Sequence, residues 1–132
     1  MQSPPVLLFG DIMAEVCTKL RAHSMLSGVT VADNKHDYEH PARWLYVERS
    51  DGERDRFFDD AGLLFEARGA NTDDAYDIAQ IARAICWTLP GQITNLVRVT
   101  DLAGLTRVND PVTHESLYRF VMAFKVKGVE PS

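Results

Sequence analysis

The chain has 132 residues, with 14 Lys+Arg against 19 Asp+Glu and a formal net charge of −5. Its 45% hydrophobic and 25% charged content matches an ordinary folded domain and argues against disorder. The longest apolar stretches, such as Val6 to Phe9, fall far short of the roughly 20 residues of a membrane span, and the acidic balance argues against a dedicated nucleic-acid binder, which would carry a basic stripe.

In chain order, residues 1–9 read as a loose tail, because Pro4-Pro5 keeps the backbone extended. The N-terminus also lacks the basic region of a secretory signal, which points to an intracellular chain at synthesis. From Asp11, a good N-cap, the residues Ile12, Met13, Val16, Cys17 and Leu20 recur at three-to-four spacing, the signature of an amphipathic helix. That helix should end near His23 to Met25, with Gly28 beyond it. Val29 to Val31 reads as a short strand, and Asp33 to His40 as a polar loop closed by Pro41.

Ala42 to Arg49 alternates, placing Leu45 and Val47 on one face and Trp44, Tyr46 and Glu48 on the other. Ser50 to Glu53 then predicts a hairpin turn, since Asp51-Gly52 supplies the positive φ that tight turns need. Arg54 to Phe58 is the expected return strand, Asp59 to Gly62 a further turn, and Leu63 to Ala67 a third strand. The second helix is capped by Asn71 or Thr72, with Asp73 and Asp74 at the positive end of its dipole. Ile78, Ala82, Ile85, Cys86 and Leu89 form its apolar stripe, and Pro90-Gly91 ends it. Ile93 to Thr100 reads as a strand and Asp101 to Asp110 as a further strand with a break or bulge at Gly104. After the Asn109-Asp110-Pro111 turn, Ser116 to Lys127 is a long strand with Tyr118, Phe120, Met122, Phe124 and Val126 on one face.

Short loops between neighbouring strands favour an α+β domain spanning residues 1–132, a mostly antiparallel sheet with two helices packed on one face. Residues 128–132 read as a second loose tail. Several strands are apolar on both faces: Trp44 and Tyr46 oppose Leu45 and Val47, and Leu64 opposes Leu63 and Phe65. Either another subunit covers the second face or the sheet curls enough to bury both.

Catalytic motifs are absent from the sequence: no Gly-x-Ser-x-Gly, no phosphate-binding glycine loop, no His-Glu-x-x-His. His36 and His40 have ligand-like spacing but no third partner, so neither a metal nor a cofactor is expected. The carboxylate pairs Asp59-Asp60 and Asp73-Asp74 are explained by a turn and a helix start. Cys17 and Cys86 read as reduced core residues, with a single disulfide as the alternative. The segment Arg49 to Arg56 differs in kind, with six charges of mixed sign in eight residues. A solvated hairpin tip would look like this, and so would a charge clamp between copies in a ring.

The order of these pieces resembles the tail-terminator (tail-completion) proteins of long-tailed bacteriophages. The matching pieces are the Asp11–Leu20 helix, the strand Trp44 to Arg49 running into Asp51-Gly52, and the strand Leu64 to Arg68 entering the helix from Thr72. Last comes Asn109-Asp110-Pro111-Val112-Thr113-His114-Glu115 before the strand Tyr118 to Met122. The resemblance implies a virion structural protein and not an enzyme: a homo-hexameric ring at the head-proximal end of the tail. Its partners would be further copies of itself, the tail-tube protein and a head-completion or connector protein. DNA would pass through the lumen without specific binding, and no membrane is involved. Arg49, Asp51, Glu53, Arg54 and Arg56 on the hairpin, and Arg107, Asp110, His114, Glu115 and Arg119 near the last turn, are the expected subunit or partner contacts. The rival readings are a head-closure or tail-tube subunit, a dimeric adaptor, and a small enzyme or ligand-binding domain using Asp59, Asp60, His36 and His40.

Overall fold

A computed structural model describes residues 5–33 and 41–131, the Asp51 side chain excepted. Most of the predicted polar loop, residues 34–40, lies outside the described residues, and His36 and His40 with it.

Local signals set both helices. The Asp11 carboxylate accepts the Ala14 amide at 3.1 Å and starts α1 (Ile12–Ala22). Asn71 does the same for the Asp74 amide at 2.9 Å and starts α2 (Thr72–Trp87). A 3-10 turn, Ser24–Leu26, follows α1. The strands are β1 (Thr30–Ala32), β2 (Trp44–Arg54), β3 (Phe58–Arg68), β4 (Leu96–Asn109) and β5 (Ser116–Lys127). They form one five-stranded sheet in the order β1-β2-β3-β5-β4. Every neighbouring pair is antiparallel except β1 with β2, which run parallel. The chain is therefore α+β with a mostly antiparallel sheet.

Strand register decides which side chains meet the helices. Val47 lies opposite Phe65, which lies opposite Phe120, and Leu63 lies opposite Met122. All are fully or almost fully buried in one cluster with Val16 and Leu20 of α1 and Ile78, Ala82 and Cys86 of α2. Phe65 stacks on Phe120 with ring centroids 4.5 Å apart. The buried alanines Ala75, Ala79 and Ala82 let α2 sit close to the strands. Cys17 and Cys86 are free thiols in this core. Burial pushes the Cys17 thiol up to about 11 and the Cys86 thiol higher still. The second face of the sheet is also partly buried: Trp44, Tyr46 and Leu117 are under 7% exposed, with the Trp44 and Tyr46 rings 5.7 Å apart.

Two expected turns are corrected. Asp51-Gly52 does not reverse the chain, because Ser50 pairs with Gly62 and Glu53 with Asp60. Two residues thus oppose Ala61 alone, which makes a β-bulge inside β2. Glycine is needed there, since a Cβ on residue 52 would lie 2.3 Å from the Asp60 carbonyl oxygen and 2.7 Å from the Gly62 nitrogen. The real reversal comes after Arg54, where the Asp55 carboxylate accepts the amides of Phe57 at 2.7 Å and Phe58 at 2.8 Å. Asp59 to Gly62, read as a turn, lies within β3. Of the break or bulge expected at Gly104, the structure has the bulge: register shifts lie within a single β4, between Asp101 and Ala103 and between Ala103 and Thr106. An edge strand accommodates such shifts because one of its sides has no ladder to disrupt. The segments read as loose tails meet each other: Leu8 and Val129 exchange two backbone hydrogen bonds of 2.8 Å. Among the described residues no helix is long and apolar enough to cross a membrane.

Replacing Gly52 by alanine is expected to destabilise the fold by about 1–3 kcal/mol, read as a lower urea midpoint. Gly104→Ala, where a Cβ meets nothing within 4 Å, should stay within about 0.5 kcal/mol of the wild type. Equal midpoints for the two variants would remove the steric role assigned to the bulge.

Candidate assembly surfaces

The bulge has a consequence for charge. In a regular strand Arg49 and Arg54 would point to opposite faces, because their numbers differ by an odd count. The extra residue at Asp51-Gly52 restores them to the same face, and both reach Asp59. Arg49 Nη2 donates to Oδ1 at 2.7 Å and Arg54 Nη2 to Oδ2 at 2.8 Å. Asp59 has no exposed surface and sits on the helix-facing side, opposite Val126. Burial alone would push its carboxyl up; the two guanidiniums outweigh that and hold it below the ordinary range. Arg54 also lies 4.9 Å over the Phe9 ring, which ties the N-terminal segment to the hairpin.

Of the five hairpin residues expected as contacts, Arg49 and Arg54 are thus engaged within the chain. Glu53 and Arg56 are exposed, and the Asp51 side chain is outside the described set. Arg56 stacks at 5.3 Å over the ring of Phe57, a residue that is 52% exposed. Sequence reasoning missed Phe57 because it was placed inside a return strand instead of at the tip.

The other expected cluster lies at the opposite end of β3, where Arg68 organises it. This arginine is buried and donates to Asp110 Oδ2 at 2.8 Å and to Glu115 Oε2 at 2.7 Å. Asp110 Oδ1 in turn accepts the amides of Val112 at 2.8 Å and Thr113 at 3.2 Å. The backbone closes the same loop, with the Asp110 amide donating to the Glu115 carbonyl at 2.8 Å and the His114 amide to the Asp110 carbonyl at 2.9 Å. His114 takes a φ of 62°, which a non-glycine residue holds only when its surroundings enforce it. Its ring is exposed, as is Val112, at 83%. Arg107 donates to the Ser116 hydroxyl at 3.1 Å and Arg119 to the buried Glu66 at 2.8 Å. The structure therefore brings Asp110 and Glu115 together through Arg68, a residue 42 and 47 positions away. No local pattern could have indicated it. The Arg68 hydrogen bond, followed by the two loop amides, holds the Asp110 carboxyl well below the ordinary range. Burial opposes the charge of Arg68, but its two carboxylate partners outweigh that.

Two further carboxylates have comparable local duties. Asp74 accepts the Ala70 amide at 2.9 Å and pairs with Arg43 at 3.1 Å, contacts that lower its pKa in that order. Asp101 is paired with Arg83 of α2. Among the described residues no group of three or more His, Cys, Asp or Glu could hold a metal ion. Two grooves stand out. A polar one of about 400 Å³ runs beside the hairpin, lined by Glu53, Arg54, Asp55, Phe58, Asp60 and Lys125. An apolar one of about 470 Å³ lies between the Ser24–Leu26 turn and the second half of α2.

No protein-family model matches the chain, and no curated protein matches it. Among solved structures, the chain is similar to one from the virion of a native gene transfer agent particle. The similarity covers 90% of this chain and 98% of that one, with a TM-score of 0.52 and 14% identity. At that identity the likeness establishes a shared fold.

Two outcomes follow from the arginine–carboxylate clamps. Removing both cations with Arg49→Ala and Arg54→Ala strands a buried charge and should cost about 3 kcal/mol, whereas Arg56→Ala should change stability by under about 0.5 kcal/mol; urea unfolding at neutral pH compares them. Asp59 and Asp110 ionise more readily folded than unfolded. They therefore stabilise the fold above the unfolded carboxylate pKa of about 3.9, and that stability drains away as pH falls through their lower folded values. Asp110→Asn should shrink the loss of stability measured between neutral pH and about pH 3. An unchanged loss would mean that Asp110 is not among the groups responsible.

Proposed function

We propose that the chain is a structural subunit of a phage-type virion, and that it acts as the tail terminator. In this reading, six copies form a ring on the head-proximal end of the tail tube, stop tube polymerisation, and present a surface that docks to the head connector. The observation that carries the virion reading is the shared fold with a gene transfer agent virion chain, which extends over nearly the whole of both chains. Support for the terminator role comes from the order of sequence pieces, from the Asp11 helix through to the Asp110–Glu115 loop and its following strand.

The chemistry of the chain suits assembly. Its buried Asp59 and its loop-holding Asp110 are neutralised by arginines, and these pairs fix two projecting loops at opposite ends of β3. Rigid loops lose little freedom on docking, so more of the contact energy reaches the complex. The second sheet face, with Leu64 and Val121 half-buried, offers apolar surface to a neighbour. The net charge of −5 per copy would add around a ring and disfavour retention of DNA phosphates in a lumen.

Mass measurement of the purified protein, alone and mixed with tail-tube protein, tests this. A six-copy ring that binds tube ends and limits tube length is the expected result. A species that stays monomeric in the presence of tube protein overturns the terminator role. Unlimited stacking of this chain on itself would replace it with the tail-tube reading.

A further inference from the structure

The tip of the β2–β3 hairpin and the apolar groove on the helix layer are complementary, yet they occupy different parts of the molecule. At the tip, the exposed Phe57 is rigidly presented: its amide donates to the Asp55 carboxylate at 2.7 Å, and its carbonyl accepts the Gly128 amide at 2.8 Å. A preorganised, half-exposed aromatic ring is a typical anchor of protein interfaces. Arg56, stacked on that ring, makes no ion pair among the described residues.

The groove of about 470 Å³ is lined by Met25, Ile81, Ala84 and Ile85 together with the more polar His23, Gln80 and Thr88. Met25 is 61% exposed, and thioether sulfur packs favourably against aromatic rings. One helical turn before Ile81, α2 carries Asp77, which is exposed and has no ion-pair partner among the described residues. An apolar socket beside an unpaired acid thus matches an aromatic knob beside an unpaired base.

We propose that Phe57 of one copy seats in the Met25–Ile81–Ala84–Ile85 groove of the next, with Arg56 facing the neighbour's Asp77. Knob and socket lie on different surfaces of one chain, so the contact is heterologous: each copy gives one and receives one, and repetition closes a ring when the rotation allows. The proposal rests on the ring reading above and supplies its lateral contact.

Two exposed-site variants test it. Phe57→Ser removes the knob and Ala84→Glu blocks the socket, and neither position is buried, so far-ultraviolet circular dichroism should match the wild type. At concentrations where the wild type assembles, each variant alone is expected to be monomeric at 14.8 kDa, its association weakened about tenfold or more. Mixed together, the two variants retain one intact contact and should form a heterodimer that grows no further, whereas the wild type should grow beyond a dimer; a wild type that stops at a dimer would mean a reciprocal two-fold contact and overturn the head-to-tail arrangement. The exchange Arg56→Asp with Asp77→Arg should restore the association that either single change weakens. Variants that assemble like the wild type, or a mixture that stays monomeric, overturn this contact and leave the ring reading standing. A wild type that never associates, with or without tube protein, overturns both.

Discussion

Asp59 is a carboxylate placed on the helix-facing side of a central strand, where no part of it reaches solvent. An isolated charge there would be prohibitively costly, so the site exists only with its cations in place. Both come from β2, and both can face Asp59 only because the bulge at Asp51-Gly52 shifts the alternation of that strand by one residue. The bulge in turn requires the bare backbone of Gly52, pressed against Asp60 and Gly62. Much else follows. β2 and β3 each run uninterrupted for 11 residues, the chain reversal moves out to Asp55–Phe57, and Arg56 and Phe57 are left at an exposed tip. Through Arg54 and the Phe9 ring the same clamp reaches the N-terminal segment, which pairs with the residues after β5.

The opposite end of β3 repeats the device with the signs reversed, one buried arginine holding two carboxylates. Buried ion pairs of this kind add little net stability relative to apolar packing, but breaking one is costly, so they favour one geometry over its alternatives. Here the geometry specified is that of the 110–115 loop, fixed tightly enough to keep His114 at positive φ and Val112 in solvent. Stability itself resides in the apolar layer, where Phe65, Phe120 and Phe124 of neighbouring strands meet the alanine-rich face of α2. Packing and shape are thus divided: the core sets how firmly the domain holds together, and the two clamps set how the loops at the two ends of β3 are held.

How much of this was legible in the residues depends on sequence distance. Helix starts were readable at Asp11 and Asn71, because a cap acts on amides three positions away. The inward faces of β2 and β5 were readable as well, since alternation is a property of consecutive residues. Mixed charge at Arg49 to Arg56 was visible, but not its division into Arg49 and Arg54, both paired with Asp59, and Arg56, stacked on Phe57.

The sequence by itself determined the α+β class, the two helices and the apolar faces of the strands, all properties of neighbouring residues. Tertiary structure alone decided that Asp51-Gly52 is a bulge and not a turn, that Asp59 is a buried anion, and that Arg68 grips the loop at Asp110 and Glu115. Each of these depends on which strand lies beside which and in what register. Asp-Gly suits a turn and a bulge equally well locally; the presence of β3 alongside, with Ala61 opposite the extra residue, selects the bulge.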